Sequence, residues 1–371
     1  MDAGCRDRTI VVIRHARWRA TVILLLFVTL LSVGVAELTA RVFWRLGYGP
    51  SFGGYIPLRH PSLVLYSYYP KLRQVDEAAP SRADDFFDVL ILGGSAFHRE
   101  WGQVEQELGE QLASSGVRNV RIFNLAVPAH TSRDSFLKYA ALGEARFELV
   151  IVYDGFNEVR ANNAPPEIFR EDYGHYSWYE IANAFAPYHR TASFALPYSL
   201  RYLALRTKQV LRKDRYLGTH LPREDWLPYG AVPRSATSFS HNLEKIIGLA
   251  SERGDRVLLM TTASYVPADY SLIAFKEKRL DYGFRALSQT PIEIWGRREH
   301  VVATIAAHNE VVRGLARRYK GVLFVDQANL MTGSGQFFND PCHFTAAGSS
   351  KFVENLIGAV VPSRKPTVQT N

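Results

Sequence analysis

The sequence is poor in cysteine: Cys5 and Cys342 are the two in 371 residues. A disulfide framework is thereby excluded, and stability has to come from an apolar core, which a chain of this length can build. Nucleotide-binding patterns are missing as well. There is no Walker lysine loop, no G-x-G-x-x-G and no H-E-x-x-H zinc motif, so neither a cofactor nor a resident metal is expected. No repeat or low-complexity tract appears. Acidic residues are scarce at the start, where Arg6, Arg8, Arg14, Arg17 and Arg19 face only Asp2 and Asp7 and carry part of the net charge of +8. The remainder is mildly basic, which argues against a nucleic-acid partner.

Charge of either sign is missing from Ala20 to Ala36, and Glu37 is followed by Leu38, Val42, Phe43 and Trp44. As a helix this run covers roughly 26 Å, the short end of a bilayer span, with Trp18 and Trp44 placed for the two interfaces. The arginines would keep the N-terminus in the cytoplasm and leave the bulk of the chain periplasmic or extracellular. Two readings stay open: a retained anchor in the inner membrane, and a signal peptide cleaved after Gly34-Val35-Ala36. Apolar residues beyond Glu37 favour the anchor. The expected organisation is a cytoplasmic 1–19, an anchor over 20–45, an irregular Gly-, Pro- and Tyr-rich connector over 46–84, a main domain over 85–362 and a tail over 363–371. Cys5 and Cys342 would lie on opposite sides of the membrane and cannot pair.

The stretch from Phe87 to Phe97 is an apolar run that ends in Gly93-Gly94 and then presents Ser95. It reads as a buried parallel strand feeding a tight turn, and ligands of open α/β sheets bind at that end. Val104, Leu108 and Leu112 predict a helix over Trp101–Ser114, which puts Ser95 at a strand-to-helix junction whose backbone N–H groups face negative charge. Further strands are expected at Val120–Val127, Leu149–Tyr153, Arg256–Thr261 and Val322–Val325, with helices near Ser132–Leu142, His241–Glu252 and His300–Tyr319. This alternation means βαβ units: a three-layer α/β fold on a flavodoxin-like parallel sheet. It fails over 159–235, an insertion carrying Tyr173, Tyr176, Trp178, Tyr179, Phe185, Tyr188, Trp226 and Tyr229. Those rings are either sugar platforms of a lid or the insertion's own small core. Arg201, Arg206, Lys208, Arg212, Lys213 and Arg215 interleave with Leu203, Leu205, Val210 and Leu211, giving either a solvated helix face or a face for an anionic lipid or glycan.

Near the C-terminus stands Asp340-Pro341-Cys342-His343. An Asp three residues before a His can fold back to orient the imidazole while its other nitrogen takes a hydroxyl proton; the alternative is that Asp340 only caps the turn that starts the last helix. With Ser95 the pair supplies nucleophile, base and orienter in one parallel-sheet frame. Asp326, ending the fifth strand, is the second choice as orienter. His98 and His130 are either pocket residues or ordinary loop histidines. Cys342 is expected to pack and not to act as a nucleophile. The run from Gly93 to Phe97 lacks the last glycine of a G-x-S-x-G elbow.

Four stretches together resemble the SGNH/GDSL hydrolase family over roughly Asp85 to Val361. They are Leu92-Gly93-Gly94-Ser95, Asn124 through Ser132, Gly155-Phe156-Asn157-Glu158, and Asp340 with His343. The resemblance implies Ser95 as nucleophile and His343 and Asp340 as its partners. It also implies an oxyanion hole made of the Ser95 and Ala129 backbone N–H groups and the Asn157 amide, with Gly94 and Gly155 supporting. Three departures stand out. Gly94 replaces the family's Asp, Glu158 replaces another, and Ala129 stands where glycine is usual, a strained choice if the turn needs positive φ. The implied activity is an esterase on O-acyl, above all O-acetyl, groups of an envelope or secreted polysaccharide, its partners being that carbohydrate, the membrane and envelope polysaccharide machinery. An O-acyltransferase of the same fold and an idle glycan-binding scaffold are the alternatives.

Overall fold

The computed structural model describes residues 3–45, 64–189, 194–284, 289–332 and 335–361. The 46–63 part of the expected connector and the 363–371 tail lie outside them. Two compact units emerge, Met1–Pro70 with Pro187–Thr207, and Lys71–Ala186 with Lys208–Asn371. The insertion over 159–235 is thus shared between them.

In the first unit, helix α1 runs over Ala3–Arg45. Within it Trp18–Phe43 is long and apolar enough to cross a membrane, with a mean hydropathy of 2.4 and exposed side chains such as Leu24 and Leu30, a composition that fits a span or a signal sequence. Glu37 accepts the backbone N–H groups of Ala195 and Leu196, each at 2.8 Å, where a second helix begins. Amides at a helix start have no intrahelical partner, so this carboxylate satisfies two of them.

The second unit opens with α2 (Leu72–Ala78), β1 (Phe87–Gly93), α3 (Val104–Ser114), β2 (Val120–Asn124), α4 (Ser132–Ala141) and β3 (Leu149–Tyr153). After α5 (Ser177–Phe185) and α6 (Leu196–Leu211), the latter begun in the first unit, come α7 (Ser235–Arg253), β4 (Val257–Met260), α8 (Leu272–Lys276), α9 (Arg298–Arg318), β5 (Leu323–Val325), α10 (Gln327–Leu330) and α11 (Ala346–Val360). The strands form one parallel sheet in the order β2-β1-β3-β4-β5. Right-handed crossovers then fix the layers. The chain steps one way from β1 to β2 and the other way from β2 onward, so α3 and α11 pack together on one face, and α4, α7 and α9 on the other. Val89, Leu90, Ile91 and Leu92 are fully buried, as the unbroken apolar run requires of a strand covered on both faces. The order reverses between β1 and β3, whose last residues Gly93 and Tyr153 are paired. A crevice opens there beyond the carboxyl ends of the strands.

Several sequence expectations shift. Helix α3 starts at Val104, and Ser95 instead opens a single 3-10 turn over Ser95–Phe97, so it does not stand at the start of α3. Strand β2 stops at Asn124, although Leu125 and Val127 still donate to the Ile91 and Gly93 carbonyls. Part of the expected irregular connector is helical, since Leu72 and Val75 of α2 are buried. Tyr173, Tyr176, Tyr179 and Trp226 pack with Ala161, Ala164 and Leu217 into a core of the insertion's own, which removes these rings as sugar platforms. On α6, Leu203 and Val210 are exposed.

Candidate active site

Ser95 stands two residues past β1, and the loop between β5 and α11 delivers Asp340 and His343 to it. Ser95 Oγ lies 2.7 Å from His343 Nε2, and His343 Nδ1 lies 2.7 and 2.8 Å from the two Asp340 oxygens. The carboxylate sets the tautomer: it can only accept, so Nδ1 carries the proton and Nε2 is left to accept from the serine hydroxyl. Asp340 is itself fixed, accepting backbone N–H groups from Cys342 (3.0 Å), His343 (2.9 Å) and Thr290 (3.0 Å). Both Asp340 and His343 are buried, and the Trp101 ring covers the imidazole at 4.3 Å between centroids. Thr345 caps α11 through the Gly348 N–H, which leaves Asp340 for the histidine.

Asn157 comes from the turn after β3. Its Nδ2 donates to the His130 carbonyl at 2.8 Å, and its Oδ1 accepts from Trp295 Nε1 at 3.1 Å. An indole N–H can only donate, so Trp295 fixes which end of the amide is oxygen and leaves the NH₂ on the side of the His130 carbonyl and Gly94. A Cβ at Gly94 would come within 2.8 Å of that Nδ2, so the bare Cα lets the amide sit beside the serine. A pocket of about 30 Å³, room for a water or a single oxygen, is lined by Gly94, Ser95, His130, Gly155, Asn157 and Cys342 among others.

Ala129 has φ = 67°, the left-handed conformation that costs a non-glycine residue about 1–2 kcal/mol. The reason is local. His130 N–H closes a turn onto the Val127 carbonyl at 3.2 Å, with Pro128 second and Ala129 third, the type II pattern whose third position favours glycine. Gly155, at φ = 125°, lies where a Cβ would meet Thr262 Oγ1 at 2.5 Å. The fully buried Glu158 accepts from the Ser132 N–H and, at 3.0 Å, from the Gly155 N–H, tying the start of α4 to the turn after β3. Burial and the neighbouring carboxylate push Asp154 well above the usual carboxylate range. Desolvation holds His130 down to about 3, so it lines the pocket as a neutral ring.

The second-choice orienter is elsewhere: Asp326 pairs with Arg313 at 2.9 Å and accepts from Thr261 at 2.8 Å. His98 lines a different cleft, with Lys71. Cys342 packs 3.6 Å from His343 Nδ1, and burial pushes its thiol well above the usual range, leaving it protonated and no nucleophile. Among the described residues, Asp340, Cys342 and His343 have donor atoms within 4.8 Å of one another, but the carboxylate and imidazole are spent on the hydrogen bonds above. Trp101, Thr290 and Trp295 escaped the sequence reading, since nothing local marks a residue that reaches the site only through tertiary packing.

No family model matches the chain, and no curated protein matches it. Solved structures do. A GDSL-like lipase from Bacteroides thetaiotaomicron is 13% identical, with 79% of this chain and 96% of that one covered at a TM-score of 0.42. An acetylxylan esterase from Geobacillus stearothermophilus is 13% identical over 76% of this chain and 95% of its own, at a TM-score of 0.40. An α/β hydrolase from the Lake Arreo metagenome in Spain is 14% identical over 74% and 94%, at a TM-score of 0.40.

Proposed function

We propose that the chain is a serine esterase of the SGNH/GDSL type that removes O-acyl, above all O-acetyl, groups from an envelope or secreted polysaccharide. The reading is supported by one observation above all, the continuous hydrogen-bond chain Ser95–His343–Asp340 at the β1/β3 crevice. His343 takes the Ser95 proton as Oγ bonds to the ester carbonyl carbon, and Asp340 stabilises the imidazolium. The oxyanion is held by the backbone N–H groups of Ser95 and Ala129 and by the Asn157 amide. As the C–O bond to the sugar breaks, His343 returns the proton to the leaving oxygen. Water, deprotonated by His343, then cleaves the acyl-serine, giving the free acid and the restored hydroxyl. The N-terminal helix serves as a retained inner-membrane anchor, its arginines in the cytoplasm and the esterase outside.

The test is fluorophosphonate labelling of the full-length, detergent-extracted protein beside Ser95→Ala, followed by acetate release from acetylated xylan. Labelling lost in Ser95→Ala, together with release from the wild type, is the expected result. Labelling with transfer from an acyl donor and no release would move the reading to the acyltransferase. No labelling of the wild type or of Ala129→Gly would overturn it.

A further inference from the structure

Arg160 lies three residues beyond Asn157 on the same 3-10 segment, Asn157–Asn163. It is 7% exposed, and among the described residues its Nε and Nη1 are buried with no hydrogen-bond partner. A buried guanidinium left in this state is costly, because desolvation is not offset by hydrogen bonds. The Trp295 ring covers it, 5.2 Å from Cζ to centroid, the same indole that orients Asn157. Glu158 is close enough to feel the charge, but its two oxygens are taken by the Ser132 and Gly155 N–H groups. Cys342, which lines the pocket beside Ser95, and Tyr176 and Tyr179 of the insertion are within its electrostatic reach. The open donors therefore lie against the indole that holds Asn157, one side chain away from that amide on the same 3-10 segment. Arginine keeps its charge there, and its planar fork matches a carboxylate in two parallel hydrogen bonds.

We infer that Arg160 is a specificity site that receives a carboxylate carried by the substrate, so that the ester acted on belongs to an acidic molecule. The inference rests on the esterase reading of the same site. The carboxylate has two possible sources, a uronate unit of the glycan or a dicarboxylic acyl chain.

The test uses the full-length protein. In the Ser95→Ala background, binding of an acetylated oligogalacturonate is compared with binding of its methyl ester, in which the carboxylates are capped. The acid form should bind at least tenfold more tightly, and Arg160→Met should remove that difference. Arg160→Lys, which keeps the charge and loses the fork, should remove most of it. Arg160→Met should melt no lower than its parent, since an unpaired buried charge is replaced by an apolar stem of similar length. In the second arm, kcat/KM is compared for succinyl and acetyl esters of a neutral phenol. A preference for succinate that Arg160→Met abolishes supports the site with the carboxylate on the acyl chain. Preferences that survive Arg160→Met, or no preference for either carboxylate, overturn the inference. Acetate release without any dependence on Arg160 would sink this site and spare the esterase. Arg160-dependent binding of the oligogalacturonate with turnover unchanged in Ser95→Ala would do the reverse.

Discussion

Asp340 reaches His343 across three residues of one loop, whereas the Asn157 amide is oriented by Trp295, which lies 138 residues away in sequence. The loop carries its own support: Asp340 accepts from its neighbours Cys342 and His343, and among the described residues Thr290 is its single distant backbone donor. The turn after β3 depends on the rest of the unit instead. Gly155 is pinned between Thr262, Glu158 and His308, whose Nδ1 lies 2.6 Å from the Gly155 carbonyl, and Asn157 bridges to His130. On the proposed esterase reading, the acid–base side of the site is therefore wired locally and the oxyanion side through tertiary contacts. Substitutions on the first side should abolish chemistry without loosening the fold, and those on the second should grade with the number of contacts removed.

The largest effects should come from the local side. His343→Ala should lower kcat by about 10⁶-fold, because nucleophile and base act as one unit. Asp340→Asn should lower it by about 10⁴-fold by stabilising the wrong imidazole tautomer. Both are read from single-turnover hydrolysis of an aryl acetate, and an Asp340→Asn loss of less than tenfold would break the assignment of Asp340 as orienter. On the tertiary side, Asn157→Ala should cost about 100- to 1000-fold in kcat with KM little changed, the mark of an interaction made only in the transition state.

The contrast also accounts for what could be read from the chain. Asp340 and His343 were legible because a turn of four residues encodes their contact, and Ser95 because an apolar run ending in two glycines announces a strand and its turn. The parallel sheet was legible for the same reason: the apolar runs Val89–Leu92 and Leu149–Tyr153 each carry their burial in their composition. Trp295 and Arg160 gave no signal, because nothing near them in sequence says which side chain they will meet. The insertion's rings were readable as aromatic but not as buried, since a tyrosine destined for a small core and one destined for a sugar look alike until the packing of Tyr173 and Tyr176 around Leu217 is known. Helical spacing that extends back to Trp101 would bring a helix start close to Ser95, whereas the buried positions of α3 begin at Val104.

A smaller effect should follow from Trp295→Phe, which keeps most of the ring's packing against Phe156 and removes the donor to Asn157 Oδ1. Held then by the His130 carbonyl alone, the amide should present its NH₂ to the oxyanion less steadily, lowering kcat by about tenfold, which corresponds to roughly 1.4 kcal/mol. Asn157→Ala and Trp295→Phe should not be additive, because the second acts through the first. An additive pair would mean that Trp295 acts on something other than Asn157.

The smallest effect is expected at Ala129. Glycine there relieves about 1–2 kcal/mol of left-handed strain but gives the unfolded chain back roughly 0.5–1 kcal/mol of backbone freedom. Ala129→Gly should thus stabilise the fold by up to about 1.5 kcal/mol, visible as a rise of a few degrees at most in melting temperature. Its backbone N–H is kept in either residue, so kcat should move by no more than a few-fold. The two readouts separate strain from chemistry at one position. A melting temperature that falls would show that the turn is held in place by its surroundings firmly enough to make the alanine costless. A large rise in kcat would instead mean that the alanine distorts the hole, and that the departure from glycine at this position limits the reaction itself.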